Sequence, residues 1–300
     1  MKKKRVVWPN FYIVGAPRCG TTSVWAYLKK HPQVFLPKIK EPSYFETTPP
    51  PPDLKHLCVG NLEAYQRLYL GAAGYKAIGD ASTGYLWDRN APAKIHEVSP
   101  GARIVILLRD PVERAYSQYR LLARSDMDLT FHEAIQHDNM VFAETGNCWK
   151  ARMYVARGCY YAQVRRYLEI FGEKQVGIYL YEDLQKDPLG VTSAICRLLD
   201  VDPLLLDKSE FKRVHNAALV PRVKWLYDAA RKALSHKVRE KILPTFAKKW
   251  LRTTPLIYRR YKPARDERAT KYLQSIYEPD LCRLEELLGR KLPELRSTWF

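Results

Sequence analysis

Between an apolar run, Phe11 to Val14, and a helical pattern lies the stretch Gly15-Ala16-Pro17-Arg18-Cys19-Gly20-Thr21-Thr22-Ser23. Two glycines five apart, followed by hydroxyl residues, have the spacing of a phosphate-cradling loop, where backbone N–H groups and a helix N-terminus converge on an anion. Thr21 stands where a nucleoside triphosphatase carries its lysine, and the nearest cation is Arg18, inside the loop. Without that lysine the β- and γ-phosphates lack a partner, which argues against ATP or GTP and for a ligand presenting one phosphate here. A tight turn with a capped helix would explain Gly20 and Thr21 but not the whole run.

Two further clusters carry chemistry. Arg109 ends a second apolar run and directly precedes Asp110-Pro111. An arginine there can grip a phosphate bidentately over the carboxyl edge of a parallel sheet. Ser117 follows about two helical turns later and can aim its hydroxyl at the same place. The competing reading is a capped helix with Arg109 paired to Asp110 or Glu113. Lys40-Glu41 supplies a carboxylate able to take a proton, with Pro42, Tyr44 and Phe45 beside it to exclude water. Taken alone, a Lys-Glu dipeptide reads as a solvated surface pair.

The elements that must position these residues are legible in outline. Phe11 to Val14, Arg103 to Leu108 and Val176 to Tyr181 are short apolar runs expected as buried parallel strands, with a weaker strand at Tyr75 to Gly79. Helices are expected at Thr22 to Lys30, from Asp110-Pro111 onward, at Tyr160 to Phe171, at Pro188 to Leu199 and at Asp266 to Leu288, the last ending at Gly289. From Trp225 to Lys271 the pattern is helical, basic and aromatic. The expected fold is α/β: a single P-loop-like domain over residues 1–300, a central parallel sheet flanked by helices, and a helical C-terminal portion. Residues 1–9 form a basic N-terminal tail, and about 225–262 a variable basic segment.

The runs PRCGTTS (17–23), KEPSYF (40–45) and LRDPVERAYSQY (108–119) together resemble the sulfotransferases that use 3′-phosphoadenosine 5′-phosphosulfate (PAPS). The flavour is bacterial and carbohydrate-type, related to the heparan sulfate N- and 3-O-sulfotransferases. The resemblance continues through GCYYAQVRRYLEIFG, VGIYLYEDLQKDP, HNAALVPR and YEPDLCRLEELLGR, with a poor match between Trp225 and Tyr261. It implies that Arg18, Cys19, Gly20, Thr21, Thr22 and Ser23 hold the 5′-phosphosulfate, and that Arg109 and Ser117 hold the 3′-phosphate. It also implies that Glu41 is the general base, with Arg18 and Lys40 assisting the leaving group. Tyr160 is implied as a nucleotide or ribose contact, or else an interfacial aromatic. Lys262 and Arg265 lie where relatives place a basic loop over the donor. Relatives of the 3-O type carry a Glu-Lys pair where this chain has Asp80-Ala81, a departure that weakens any carry-over of glycosaminoglycan specificity. Asp80 then either orients a substrate hydroxyl or ends a strand. His215 is a candidate substrate contact, and Trp25, Trp87 and Trp149 are candidates for an acceptor pocket, although bulky aromatics are more often core.

Composition bounds the rest. The 300 residues carry 50 Lys and Arg against 32 Asp and Glu, a formal charge of +18, which calls for anionic partners. Between Asp207 and Lys271 stand 19 of those cations against 6 acids, so most of the excess lies outside the motifs. That stretch is expected to face an acidic acceptor or an anionic membrane holding a lipid acceptor. Six cysteines show neither a CxxC pair nor zinc-ligand spacing, and no metal is expected. No signal-like or membrane-length apolar stretch occurs, so a cytoplasmic protein, in peripheral contact with membrane at most, is expected. The acceptor is expected to be a glycan, glycolipid or other metabolite. The rival reading is a basic nucleic-acid or anionic-surface binding protein on the same fold.

Overall fold

The computed structural model describes residues 7–48, 59–122, 129–146, 153–212, 219–221, 258–260 and 265–299. Five strands form one parallel sheet: β1 (Phe11–Gly15), β2 (Val34–Phe35), β3 (Ala77–Ala81), β4 (Arg103–Leu108) and β5 (Val176–Leu180), in the order β2-β3-β1-β4-β5. Nearly all of β1, β3 and β4 is buried, because a sheet covered by helices on its faces needs continuous apolar strands. Each fully buried Ile or Leu of β4 contributes about 2 kcal/mol through burial.

The connecting helices are α1 (Thr21–Leu28), α2 (Leu62–Arg67), α3 (Ala91–Val98), α4 (Pro111–Leu122), α5 (Phe131–Thr145), α6 (Tyr160–Phe171), α7 (Tyr181–Lys186), α8 (Pro188–Leu198) and α9 (Glu267–Leu288). Helices α6 and α8 pack on β5, and α9 packs on α6. Val112, Tyr116, Phe131, Ile135, Leu273 and Tyr277 of α4, α5 and α9 build a second apolar cluster beside the sheet core. Helix α9 starts where the Asp266 side chain accepts from the Ala269 N–H, and it stops at Gly289 in the left-handed region.

The parallel α/β architecture agrees with the expectation. Three boundaries differ for local reasons. Strand β3 begins two residues late, since 72–75 close a turn in which Tyr75 donates to the Ala72 carbonyl and pairing starts with Ala77 on Gln33. Tyr181 opens α7 rather than closing β5, with Glu182 and Asp183 favouring a helix N-terminus. Within the stretch expected as helical, Tyr258–Arg260 is instead a strand, pairing antiparallel with Leu219–Pro221. Cross-strand pairing there overrides a helical pattern that packing on a neighbour would have had to stabilise. The remainder of the basic segment, 222–257 and 261–264, lies outside the described residues, as do His215, Trp149 and Lys262.

Candidate active site

Every candidate residue of the three motifs follows the carboxyl end of a strand. The 15–23 loop follows β1, Lys40-Glu41 follows β2, Asp80 to Thr83 close β3, Arg109 follows β4 and Tyr181 follows β5. Successive strands are added to one side of β1 as far as β3 and then, from β4, to the other, and this switch between β1 and β4 is where a doubly wound sheet opens a crevice for ligand.

On the β1–β4–β5 side the residues gather positive charge. Gly20 adopts φ +85° as the N-cap of α1, and no side chain caps that helix, so its first N–H groups face the loop. A Cβ at Gly20 would meet Leu184 at 2.7 Å and the Tyr181 ring at 2.9 Å, so only glycine fits the bend. Thr21 is buried at the helix start, while Thr22 and Ser23 are half-buried. Arg18 Nε donates to Ser117 Oγ (3.1 Å), and Arg109 Nη1 donates to the Arg18 carbonyl (3.4 Å). Arg109 also stacks on Tyr181 with its guanidinium carbon 4.5 Å from the ring centroid, and it pairs with Glu113 (3.3 Å). Arg120 reaches the same Glu113 at 3.9 Å. Burial, and then the charges of Arg109 and Arg120, hold Arg18 below the usual arginine value. Arg109 Nε is buried with no hydrogen-bond partner among the described residues. Among the described residues one carboxylate, Glu113, thus pairs with two arginines beside a third, and the charge of Glu182 also acts on Arg109. The expected alternative for Arg109, a pair with Glu113, is present, and the other face of its guanidinium is turned to the loop.

Buried groups fix this arrangement from below. Tyr160 is wholly buried and donates its hydroxyl to the Arg109 carbonyl (2.9 Å), so here it supports the arginine rather than lining the crevice. Cys19 is wholly buried, with its sulfur 3.9 Å from the Tyr160 oxygen, and burial pushes its thiol up to about 12. Glu182 Oε1 accepts from the Asp110 N–H (3.1 Å), and burial raises its carboxyl to about 7.

On the β2–β3 side a carboxylate is held by the chain itself. Along 41–47 every second backbone N–H donates to the 81–88 segment. Glu41 donates to the Ala81 carbonyl (3.0 Å), Ser43 to Ser82 Oγ (3.0 Å), Phe45 to the Tyr85 hydroxyl (3.4 Å) and Thr47 to Asp88 Oδ2 (2.6 Å). Glu41 and Ser43 sit at φ +63° and +54°, a left-handed conformation costing about 1 kcal/mol or more each at non-glycine residues. Glu41 Oε2 accepts from the Thr83 N–H (2.7 Å), Thr83 Oγ1 reaches both carboxylate oxygens at 3.1 Å, and Lys40 Nζ donates to Oε1. The Glu41 side chain remains 38% exposed, so it is fixed yet reachable.

Asp80 is wholly buried and its carboxylate accepts from Tyr65, Tyr85 and Ser82 at 2.7–2.9 Å. Burial raises it to about 6. Its geometry therefore favours the strand-end alternative, with Ser82 passing the anchorage on to Ser43. Glu46, on the same strap, lies so close to Gly84 that a Cβ there would stand 2.2 Å from Oε1, and burial raises its carboxyl to about 7.

Elsewhere, the Trp25 ring carries Lys29 at 4.1 Å, and the Trp87 carbonyl accepts from Arg166 (3.3 Å). Arg265 lines a cleft of about 100 Å³ with Glu113, Tyr116 and Arg120, which brings it beside α4. Thr83, Tyr181, Glu182 and Arg120 are not among the residues that the sequence singles out, whereas Glu113 is, as the expected partner of Arg109. Tyr181 was findable as the first residue past an apolar strand, and Arg120 as the residue one turn beyond Ser117 on α4. Among the described residues no group of three or more His, Cys, Asp or Glu is placed to hold a metal, and no helix is long and apolar enough to cross a membrane.

Comparison with known proteins matches this geometry to a family. The sulfotransferase domain pattern matches residues 9–249. Human carbohydrate sulfotransferase 15 is 26% identical over 250 residues, covering 65% of this chain and 44% of that protein. Human heparan sulfate glucosamine 3-O-sulfotransferase 3B1 is 24% identical over 200 residues, covering 67% of this chain and 48% of that protein. The chain thus spans less than half the length of these two relatives. A solved sulfotransferase from Alicyclobacillus acidocaldarius superimposes with a TM-score of 0.71 at 28% identity, over 97% of this chain and 100% of that one. With a domain pattern running from β1 past β5, and the motif residues gathered at one sheet edge, the chain belongs to the sulfotransferase family.

Proposed function

We propose that this chain transfers a sulfuryl group from PAPS to a hydroxyl, or an amine, of a carbohydrate-bearing acceptor, with Glu41 as general base. The observation that carries the reading is the pairing, on one sheet edge, of an anion-seeking arginine cluster with a chain-fixed carboxylate. PAPS is the donor that the family uses, and it presents two anionic ends to a site that offers two sets of donors. The 15–23 loop, with Arg18, Cys19, Gly20, Thr21, Thr22 and Ser23, is assigned to the 5′-phosphosulfate through its uncapped helix start. Arg109 and Ser117 are assigned to the 3′-phosphate. The Arg18–Ser117 bond supports an Arg18 that links the two ends. Tyr160 positions Arg109, and Arg265 with Lys262 completes the donor side.

In the reaction, Glu41 accepts the proton of the acceptor group while that group's oxygen or nitrogen forms its bond to sulfur. The bond from sulfur to the 5′-phosphate oxygen breaks, and 3′-phosphoadenosine 5′-phosphate leaves. Charge grows on that departing oxygen, where Arg18 and Lys40 offer stabilisation. Thr83 keeps Glu41 in a single orientation, so little reorganisation is needed as the proton moves.

The acceptor class follows from family and charge together. Relatives include carbohydrate and heparan sulfate sulfotransferases, yet by the motif resemblance Ala81 falls where the 3-O type carries lysine. A carbohydrate or glycolipid other than a glycosaminoglycan fits both facts. The basic excess of residues 207–271 suits an acidic acceptor or one presented at an anionic surface. The four described cysteines are free thiols, in keeping with a reducing, cytoplasmic setting. The whole of 1–300 is read as one catalytic unit. The test is incubation with PAPS and a panel of glycans and glycolipids, following sulfated product by mass spectrometry. Product gaining one sulfuryl group per 3′-phosphoadenosine 5′-phosphate released is expected; no nucleotide release above the protein-free blank with any acceptor would overturn the reading.

A further inference from the structure

Asp110, next to Arg109, is wholly buried and makes more contacts than a helix start requires. Its Oδ1 caps α4 by accepting from the N–H groups of Val112 (2.9 Å) and Glu113 (3.3 Å), and also accepts from Trp299 Nε1 (3.2 Å). Its Oδ2 is devoted to Thr298, accepting from the backbone N–H (3.2 Å) and from Oγ1 (2.7 Å). On its other side Thr298 accepts from Arg265 Nη2, at Oγ1 (2.9 Å) and at its carbonyl (3.0 Å). A hydroxyl has one proton to give, and this one gives it to Asp110 while receiving from Arg265.

The consequence lies at the donor side. Arg109 is held by Tyr160 at its carbonyl and through the next peptide by Glu182 and Asp110. Arg265, which lines the small cleft with Glu113, Tyr116 and Arg120, is exposed. Thr298 is the residue that ties the two together. An arginine already held in place loses less rotamer freedom when it meets an anion, so its contact with a phosphate is stronger.

We infer that Thr298 is a positioning residue that clasps Arg265 to the Asp110 end of α4 and thereby sets affinity for the 3′-phosphate of the donor. The inference rests on the proposed assignment of that phosphate to Arg109 and Ser117. Calorimetry with 3′-phosphoadenosine 5′-phosphate and with adenosine 5′-phosphate, which lacks the 3′ group, separates the two claims. Wild-type protein binds the first ligand at least tenfold tighter if the assignment is right; equal affinities would remove the assignment and the clasp with it. Given that preference, Thr298→Val weakens the first ligand by about fivefold, a fraction of one charge-assisted hydrogen bond, and leaves the second within twofold. Thr298→Ser restores the wild-type values. Arg265→Gln, which leaves the Asp110 contacts in place, loses at least as much, and adding Thr298→Val to it costs nothing more. Unchanged binding in Arg265→Gln, equal losses on both ligands in Thr298→Val, or additive losses in the double variant would each overturn the clasp.

Discussion

At the carboxyl ends of β1, β4 and β5 the chain gathers Arg18, Arg109 and Arg120, with Arg18 bonded to Ser117 and the Glu113 carboxylate shared by Arg109 and Arg120. At the ends of β2 and β3 it does the reverse, meeting one carboxylate, Glu41, with Thr83 and Lys40. On the proposed function the first region takes up an anion, which would offset the cost of crowding its cations. The second is complete by itself, and its left-handed residues are held by the ladder of N–H groups along 41–47. On that proposal one region binds and the other orients. Substitutions on the first should act on donor affinity, and those on the second on turnover.

The sharpest way to break that division is Glu41→Gln, which keeps shape and loses the basic site. Turnover should fall by about 10²- to 10⁴-fold, while affinity for 3′-phosphoadenosine 5′-phosphate, measured by calorimetry, changes less than twofold. A comparable loss of nucleotide binding would show that the two regions are not separate. Arg109→Met should act the other way, weakening the nucleotide by about 100-fold through loss of two charge-assisted hydrogen bonds. Its turnover at saturating donor should stay within tenfold of wild type; a normal Kd would remove Arg109 from the donor side. Thr83→Val keeps the backbone N–H on Glu41 but loses the hydroxyl, and should lower kcat about fivefold with nucleotide Kd unchanged. Restoration by Thr83→Ser would confirm that the hydroxyl, not the fold, is responsible.

The smallest expected effect concerns pH and the buried acids that support both regions. Burial holds Asp80 near 6, and Glu46 and Glu182 near 7, all above their ordinary values. Between about pH 4 and 7 the folded chain keeps protons that the unfolded chain has released, so stability falls as pH rises through that window. The melting temperature should drop from pH 5 to 7.5, and Glu182→Gln should shrink the drop. A melting temperature that rises over the same range would contradict these burial-driven shifts.

The sheet was readable wherever burial imposes a continuous apolar run, as in Arg103–Leu108, and α6 and α9 wherever one face repeats at helical spacing. Strand β2, at two residues, is too short to leave a pattern, and β6 (Leu219–Pro221) with β7 (Tyr258–Arg260) exists only through pairing across a long separation. The site divides in the same way. Arg18, Glu41 and Arg109 were visible because each stands beside a strand end or in a short motif. Many of the contacts that hold them were not, since those join residues far apart along the chain. Thr83 reaches Glu41 over 42 residues, Ser117 meets Arg18 over 99 and Thr298 meets Asp110 over 188. Local sequence names the chemistry; only the folded chain brings in the residues that orient it.

A donor site for PAPS on this chain can be checked by thermal denaturation of the wild-type protein with two nucleotides at equal concentration. 3′-Phosphoadenosine 5′-phosphate should raise the melting temperature well above the value with ATP and magnesium, because Thr21 stands where a triphosphate would need lysine. Equal shifts, or none with either nucleotide, would contradict it.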